Sequence, residues 1–223
     1  MSSKTYPTLQ TESRLFELGN RFVIGIDEVG RGAIAGPVAV GLSLLDSKNP
    51  SLLSWPEALQ DSKLMTANKR EAIVEELSNW LTDYKVGYAS SSEIDQIGIS
   101  QSLRLAASRA LNQLFESDAI KRTLVSEGCM VLLDGSHNWL GKHAAGLEVA
   151  NQVKADASCV SVASAAVLAK VERDALMEKL DADYPDYGLA SHKGYASKAH
   201  IEALRSHGPS AIHRLTWLTR ILA

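Results

Sequence analysis

Two acids in succession, Asp27 and Glu28, close an apolar run from Phe22 to Ile26 and are followed at once by Gly30-Arg31-Gly32. Neighbours in a strand point to opposite faces, so two adjacent acids inside one would drive a carboxylate into the core. The sequence therefore predicts that the strand stops at this point, freeing both acids to face one site. Two more acids stand where apolar runs give out. Asp134 follows Met130 to Leu133, and Asp156 lies between a strand candidate and a long helix. These four carboxylates, with no Cys or His among them, form an all-oxygen donor set suited to magnesium or manganese rather than zinc. Two such ions about 4 Å apart can activate a water and stabilise the leaving oxygen of a phosphodiester, which requires carboxylates converging from different strands. Taken singly, Asp134-Gly135 reads as a turn and Asp156 as an acid leading a helix. Agreement among three strand ends favours the site.

Gly30-Arg31-Gly32 and Gly36 superficially suggest a dinucleotide loop. That fingerprint needs a helix directly after the glycines, and here Pro37 and a β-branched run indicate a strand. A glycine-flanked arginine instead lets backbone approach a sugar and offers a cation to the adjoining phosphate.

The elements that must position these residues follow from periodicity. Strands are expected at Phe22 to Ile26, Val38 to Leu45, Lys85 to Ala89, Val131 to Leu133 and Leu147 to Lys154. Helices are expected at Ala67 to Leu81, with Thr66 as cap, and at Ser100 to Phe115, Cys159 to Leu180 and Ser197 to Ser206. The long Cys159 to Leu180 helix should turn Val160, Val167, Val171 and Leu176 inward. Three strands followed by strands separated by helices indicate a mixed sheet covered by helices, an α/β architecture. The acids then fall near the carboxyl ends of strands, the edge where ligand sites on open α/β sheets usually lie.

Composition bounds the rest. Of 223 residues, 45% are hydrophobic and 22% charged, the balance of a water-soluble domain with a sizeable core. No apolar run approaches the roughly 20 residues of a membrane span, and Met1 to Gln10 lacks a secretory apolar stretch. Cys129 and Cys159 form neither a CxxC pair nor a zinc cluster, so a reducing cytoplasm is the expected location. The net charge of −3 conceals a basic tail. Residues 190–223 carry Lys193, Lys198, Arg205, Arg214 and Arg220 against the single acid Glu202, hence +4, leaving −7 on the remainder. A basic end on an acidic body suits a polyanion held beside a cation-binding site. His192, His200, His207 and His213 also fall in this tail, at spacings of 8, 7 and 6 that give no same-face helical pair. They are expected to be ordinary polar or nucleic-acid-facing residues rather than metal ligands.

The stretch from Ile24 to Pro37, IGIDEVGRGAIAGP, resembles the signature of bacterial ribonuclease HII. Further similarities follow in chain order: Asp61-Ser62-Lys63 with Lys69-Arg70, Glu93-Ile94-Asp95 ahead of a helix, and Leu133-Asp134-Gly135. Val153 to Asp156 and Ala169 to Asp174 resemble the segment of the fourth acid and its helix. Tyr187-Gly188 and His192-Lys193-Gly194-Tyr195 resemble a late substrate-binding motif, and His213-Arg214 the last one. Two departures are visible. Ala155 and Ala157 flank Asp156 where the family usually has glycine and serine, and the lysine pair usual after the DSK serine is reduced to Lys63-Leu64.

The resemblance implies a ribonuclease H-like fold, a five-stranded mixed sheet flanked by helices with extra helices at the C-terminus. It implies one domain over 1–223, with 1–20 as an extension and about 185–223 as a helical substrate-binding part. Asp27, Glu28, Asp134 and Asp156 would hold a pair of Mg2+ or Mn2+ ions. Gly30, Arg31 and Gly32 would sense a ribose 2′-hydroxyl, Tyr195 would stack at the ribose-to-deoxyribose junction, and Lys193, with Arg214, would grip flanking backbone. The implied partners are RNA/DNA hybrid and duplex DNA carrying ribonucleotides, cut 5′ of the ribonucleotide to leave 3′-hydroxyl and 5′-phosphate ends. A monomer is expected, and Leu215 to Ala223 shows no recognisable clamp-binding sequence. The rival readings are a catalytically silent nucleic-acid-binding module of this fold, which the intact acid set disfavours, and a fold relative acting on another nucleic-acid substrate.

Overall fold

The computed structural model of the chain describes residues 6–116, 118–219 and 221. Arg220 of the basic tail and the last two residues lie outside them, as do residues 1–5. In chain order the elements are α1 (Gln10–Glu17), β1 (Phe22–Val29), β2 (Val38–Asp46), α2 (Ala67–Trp80), β3 (Asp83–Ala89), α3 (Ser91–Ile97), α4 (Ile99–Leu114) and α5 (Asp118–Ser126). They continue with β4 (Cys129–Asp134), β5 (Glu148–Gln152), α6 (Ala155–Ser158), α7 (Val160–Asp183), α8 (Leu189–His192), α9 (Lys198–His207) and α10 (Leu215–Leu218). The sheet order is β3-β2-β1-β4-β5. β1, β2 and β3 form an antiparallel meander, and β4 and β5 add in parallel to β1. This is the mixed five-stranded sheet that the strand pattern predicts. Among the described residues no helix is long and apolar enough to cross a membrane.

Both sheet faces are covered. Ile24 and Ile26 of β1, Val40 and Leu42 of β2, and Val131 and Leu133 of β4 pack with Leu103, Ala107 and Leu111 of α4. The opposite face receives α7, whose first half is buried all round and rich in Ala, Ser and Val. Those small side chains let the helix lie almost on the strands. A Cβ on Gly25 would stand 2.3 Å from the backbone carbon of Ser161, and one on Gly41 would stand 2.4 Å from the Ala165 carbonyl oxygen. Backbone on both sides leaves nothing to give way. Gly25→Ala should therefore cost about 3 kcal/mol or more. At roughly 2–4 °C per kcal/mol for a chain of this size, calorimetry should record a fall in melting temperature of about 6–12 °C.

Two sequence expectations need correction. β1 does not stop at Asp27; it runs to Val29 because its pairing with β2 continues to Val29↔Ala39. Pairing with β4 ends earlier, at Ile26↔Leu133. The acids thus occupy strand residues with one flank released, which relieves the conflict without breaking the strand. Alternation still holds: Val23 and Val29 lie against the α7 side and Ile24 and Ile26 against the α4 side, so Asp27 and Glu28 leave the strand toward opposite faces. In α7, Val171 and Leu176 are only half-buried, while Arg173, Asp174 and Met177 are buried. The helix outruns the sheet there and packs on the Gly30–Pro37 loop and the C-terminal segment, so the inward face is no longer set by strands.

The other helices follow local signals. Thr66 caps α2 by accepting from the Lys69 amide, and Ser197 caps α9 through the His200 amide. Glu93 and Asp95 do not merely precede a helix. They lie in α3, opened by a reciprocal capping box between Ser90 and Glu93.

Candidate active site

The released end of β1, the end of β4 and the Gly30–Pro37 loop enclose a cleft of about 400 Å³. Asp27, Glu28 and Asp134 line it with Gly30, Arg31, Gly32 and Tyr195. Lys63 and Lys170 line it as well; Asp156 is not itself a lining residue and stands behind Lys63, in an ion pair of 2.7 Å. A second cavity of about 300 Å³ shares Glu28, Arg31 and Asp134 with the first and extends toward His137 and Trp139. Glu28, Arg31 and Asp134 therefore stand between two depressions.

Asp27 is the interior member of the acid set. Burial raises its carboxyl well above the ordinary range, and the charges of Glu28, Asp156 and Asp134 raise it further. All four carboxylates thus act on one point electrostatically. They do not close on it: among the described residues no three His, Cys, Asp or Glu side chains are grouped to hold a metal ion as they stand. The other three acids are each drawn to a local partner instead. Asp156 pairs with Lys63, whose ammonium that contact pushes up to about 12. Glu28 meets the Arg31 guanidinium at 3.2 Å, and Asp134 accepts the Ala155 amide at 2.7 Å. The donor set fits a hard divalent cation: oxygen only, four formal charges, and the most buried member destabilised by the others. Lys63 and Arg31, with side chains 74% and 58% exposed, are partners such a cation can displace.

Alanine beside the fourth acid does no harm to its placement. The left-handed residue at this turn is Lys154, with φ of 59°, and Ala155 begins α6, so the glycine's freedom is not needed at 155. Lys63 is the residue that sequence reasoning undervalued. Its motif was visible, but its reach to Asp156 depends on Arg70, which donates to the carbonyls of Ser62 and Met65 at 2.9 and 2.6 Å and so fixes that turn.

The Gly30–Pro37 loop is held from behind by two guanidiniums. Arg214 donates to the carbonyls of Gly30, Arg31 and Gly36 at 2.7, 2.9 and 3.1 Å. Arg173 donates to Pro37 and Lys193 at 2.8 and 3.0 Å. Both are fully buried, and among the described residues neither forms an ion pair. Desolvation, then the charge of Arg173, pulls Arg214 down to about 9, still leaving it charged at neutral pH. With its carbonyls turned inward, the loop presents its other side to the cleft. Gly30, at φ 80°, admits no side chain, because a Cβ there would meet Arg173 at 2.1 Å. The expectation that Arg214 grips backbone of a bound nucleic acid is therefore overturned, since a fully buried side chain cannot reach it. Its carbonyl contacts were invisible to a sequence reading that counts charges.

Tyr195 reaches the cleft from the segment between α8 and α9. It is 39% exposed, with the Arg173 guanidinium 5.8 Å from its ring centroid. The Gly194 carbonyl accepts the amides of Ile34 and Ala35 at 2.8 and 3.1 Å, so Tyr195 and the glycine loop are tied as one unit. Lys193 does not line this cleft; its ammonium lies 2.6 Å from Glu178 and 2.5 Å from the Ala190 carbonyl. Of the tail histidines, His207 is exposed as expected, while His200, His213 and the half-buried His192 depart from expectation. His200 and His213 are buried, and His192 stacks on His200 at 4.2 Å. They form packing, not a nucleic-acid-facing surface, because α8, α9 and the 208–214 turn fold their rings against Tyr187.

A family model described as Ribonuclease HII matches residues 24–220. The chain is 44% identical over 200 residues to Ribonuclease HII of Streptomyces avermitilis, covering 89% of this chain and 78% of the relative. It superimposes on ribonuclease H2 from Pyrococcus horikoshii with a TM-score of 0.64 at 29% identity, over 90% of this chain and 96% of that one. Bst-RNase HIII, solved in complex with Mn2+, gives a TM-score of 0.67 at 19% identity over 93% of this chain and 71% of that one, a likeness of fold.

Proposed function

This chain belongs to the ribonuclease HII family and is a ribonuclease H enzyme, and from that premise we propose that it cuts the RNA strand of RNA/DNA hybrids and cuts 5′ of ribonucleotides embedded in duplex DNA. The observation that carries this reading is the conjunction at one cleft of three carboxylates, with the charge of Asp156 acting on the innermost of them, a glycine-flanked arginine and an exposed tyrosine. Such a pairing of cation site and ribose reader is what discrimination between RNA and DNA requires, since the 2′-hydroxyl alone separates them at a given position. Asp27, Glu28, Asp134 and Asp156 would hold two divalent ions, Mg2+ or Mn2+, as the Mn2+ complex of the fold relative also suggests. Once bound, the ions supply positive charge that acidifies an attacking water and neutralises the 3′ leaving oxygen.

The chain's own residues do the rest. Lys63 and Arg31 balance the acids as they stand; with Glu28 engaged by a divalent ion, Arg31 would be free to pair with a phosphate beside the scissile one. The backbone of Gly30 to Gly32, backed by Arg214, approaches the ribose. Tyr195 stacks at the junction sugar. Lys193 serves the flanking backbone by exchanging Glu178, an exposed partner whose loss costs little. We take 1–223 as one domain, acting as a monomer in the cytoplasm, with residues from about 185 onward forming the substrate-binding part.

Three labelled substrates test the reading with Mg2+ or Mn2+: a duplex with one ribonucleotide, a continuous hybrid, and an all-DNA duplex. Expected is cleavage of the first two, with the single-ribonucleotide duplex cut on its 5′ side to 3′-hydroxyl and 5′-phosphate ends. No cleavage is expected of the third, or of any without divalent ions. Cutting of the all-DNA duplex would assign the cleft to another substrate.

A further inference from the structure

The rings of His192, His200 and His213 admit a single arrangement of protons. His192 Nδ1 accepts the Gly194 amide at 3.2 Å, so its proton sits on Nε2, which donates to the Tyr187 carbonyl at 2.8 Å. His213 Nδ1 accepts the Ser210 amide at 3.0 Å, so its proton is also on Nε2. That proton points at His200 Nε2, 3.1 Å away, which must then accept. His200 consequently carries its proton on Nδ1 and donates to the Tyr195 carbonyl at 2.9 Å. Every ring nitrogen is used, His213 Nδ1 twice because the Ser210 hydroxyl also lies 3.0 Å from it, and every ring is neutral. A proton added to any of the three would face another N–H and break a bond. Burial acts in the same direction, holding His200 down to about 4 and lowering His213.

The ends of this chain of bonds matter. One end fixes Gly194 and Tyr195, the other the Ser210–His213 turn that leads directly into Arg214. We propose that His200 and His213, with His192, form a neutral relay that positions Tyr195 over the cleft, making His200 a positioning residue for ribonucleotide reading. The relay rests on the role given to Tyr195 above, since positioning matters only if Tyr195 touches substrate.

The first test needs no substitution. Long-range ¹H–¹⁵N correlation spectra of the full chain at pH 7 should show all three rings neutral, His192 and His213 protonated on Nε2 and His200 on Nδ1. A cationic ring, or the opposite tautomer at His200, overturns the relay. The second test is a double-mutant cycle on the single-ribonucleotide duplex. Tyr195→Ala should lower kcat/KM roughly tenfold or more, from the lost stacking. His200→Ala should lower it roughly tenfold when Tyr195 is present but less than about twofold in the Tyr195→Ala background. His200→Asn, whose side-chain amide can donate where Nδ1 does, should recover most of the loss. Equal losses in both backgrounds would reduce His200 to a general packing residue. An inert Tyr195→Ala would instead remove the role given to Tyr195, a result distinguishable because the spectra report the relay independently.

Discussion

Asp134→Asn should lower the single-turnover rate on a single-ribonucleotide duplex by roughly 10³-fold or more while changing the dissociation constant by only a few-fold. The magnitude follows from losing one of the few full charges that would hold the proposed cations, an effect of several kcal/mol at about 1.4 kcal/mol per tenfold. The substitution is a clean probe. Asparagine is isosteric and keeps an oxygen to accept the Ala155 amide, the one hydrogen bond the Asp134 side chain makes among the described residues. The turn that places Asp156 should therefore survive, and circular dichroism and melting should match the parent chain. Substrate binding should persist because Arg31 and Tyr195 lie on other segments, and removing a negative charge from the cleft eases the approach of a polyanion. Fluorescence anisotropy and denaturing gels on the same samples separate the two effects. Cleavage within tenfold of the parent chain would remove Asp134 from the site.

The sheet and the acid set were legible in the sequence for the same reason: both depend on local pattern. Five segments of strand length, and the acids at three of their ends, need no knowledge of distant contacts. β1 was misjudged at its end because strand length on an interior strand is set separately by each neighbour, and β2 keeps pairing three residues beyond β4. The C-terminal segment was misjudged more broadly. Its histidines and Arg214 look like solvated charge when counted along the chain, yet their partners are carbonyls and rings up to 184 residues away. A charged side chain that ends in a buried ring of carbonyls leaves no signature in spacing. The one-turn helix α6 illustrates the opposite case: the flanking alanines looked like a departure, but the turn takes its unusual torsion at Lys154.

Arg214→Lys should be the most damaging conservative substitution outside the acid set, because it retains the charge and loses the geometry. The guanidinium is planar and forked, and here it serves carbonyls of Gly30, Arg31 and Gly36 together. An ammonium on a shorter stem is a point donor and cannot reach all three, so at least one buried carbonyl goes unpaired at about 1–3 kcal/mol. The cost of burying the charge remains, and burial already weighs on this group enough to pull it down to about 9. Destabilisation of about 3 kcal/mol should therefore appear as a melting temperature lower by roughly 6–12 °C. The catalytic loss should be larger than stability alone accounts for. Gly30 and Arg31 border the cleft, and displacing a positioned loop by about 1 Å can cost on the order of 10²-fold in rate. Measured well below the melting transition, kcat/KM on the single-ribonucleotide duplex should fall by about that factor. Preference for binding that duplex over the uncut all-DNA duplex, read by competition, should fall with it, because the carbonyls Arg214 holds belong to the loop proposed above to face the ribose. Full selectivity in a variant that has lost stability would show that Arg214 supports the fold without setting the reader, and the loop would then owe its shape to Arg173 and the Gly194 contacts alone.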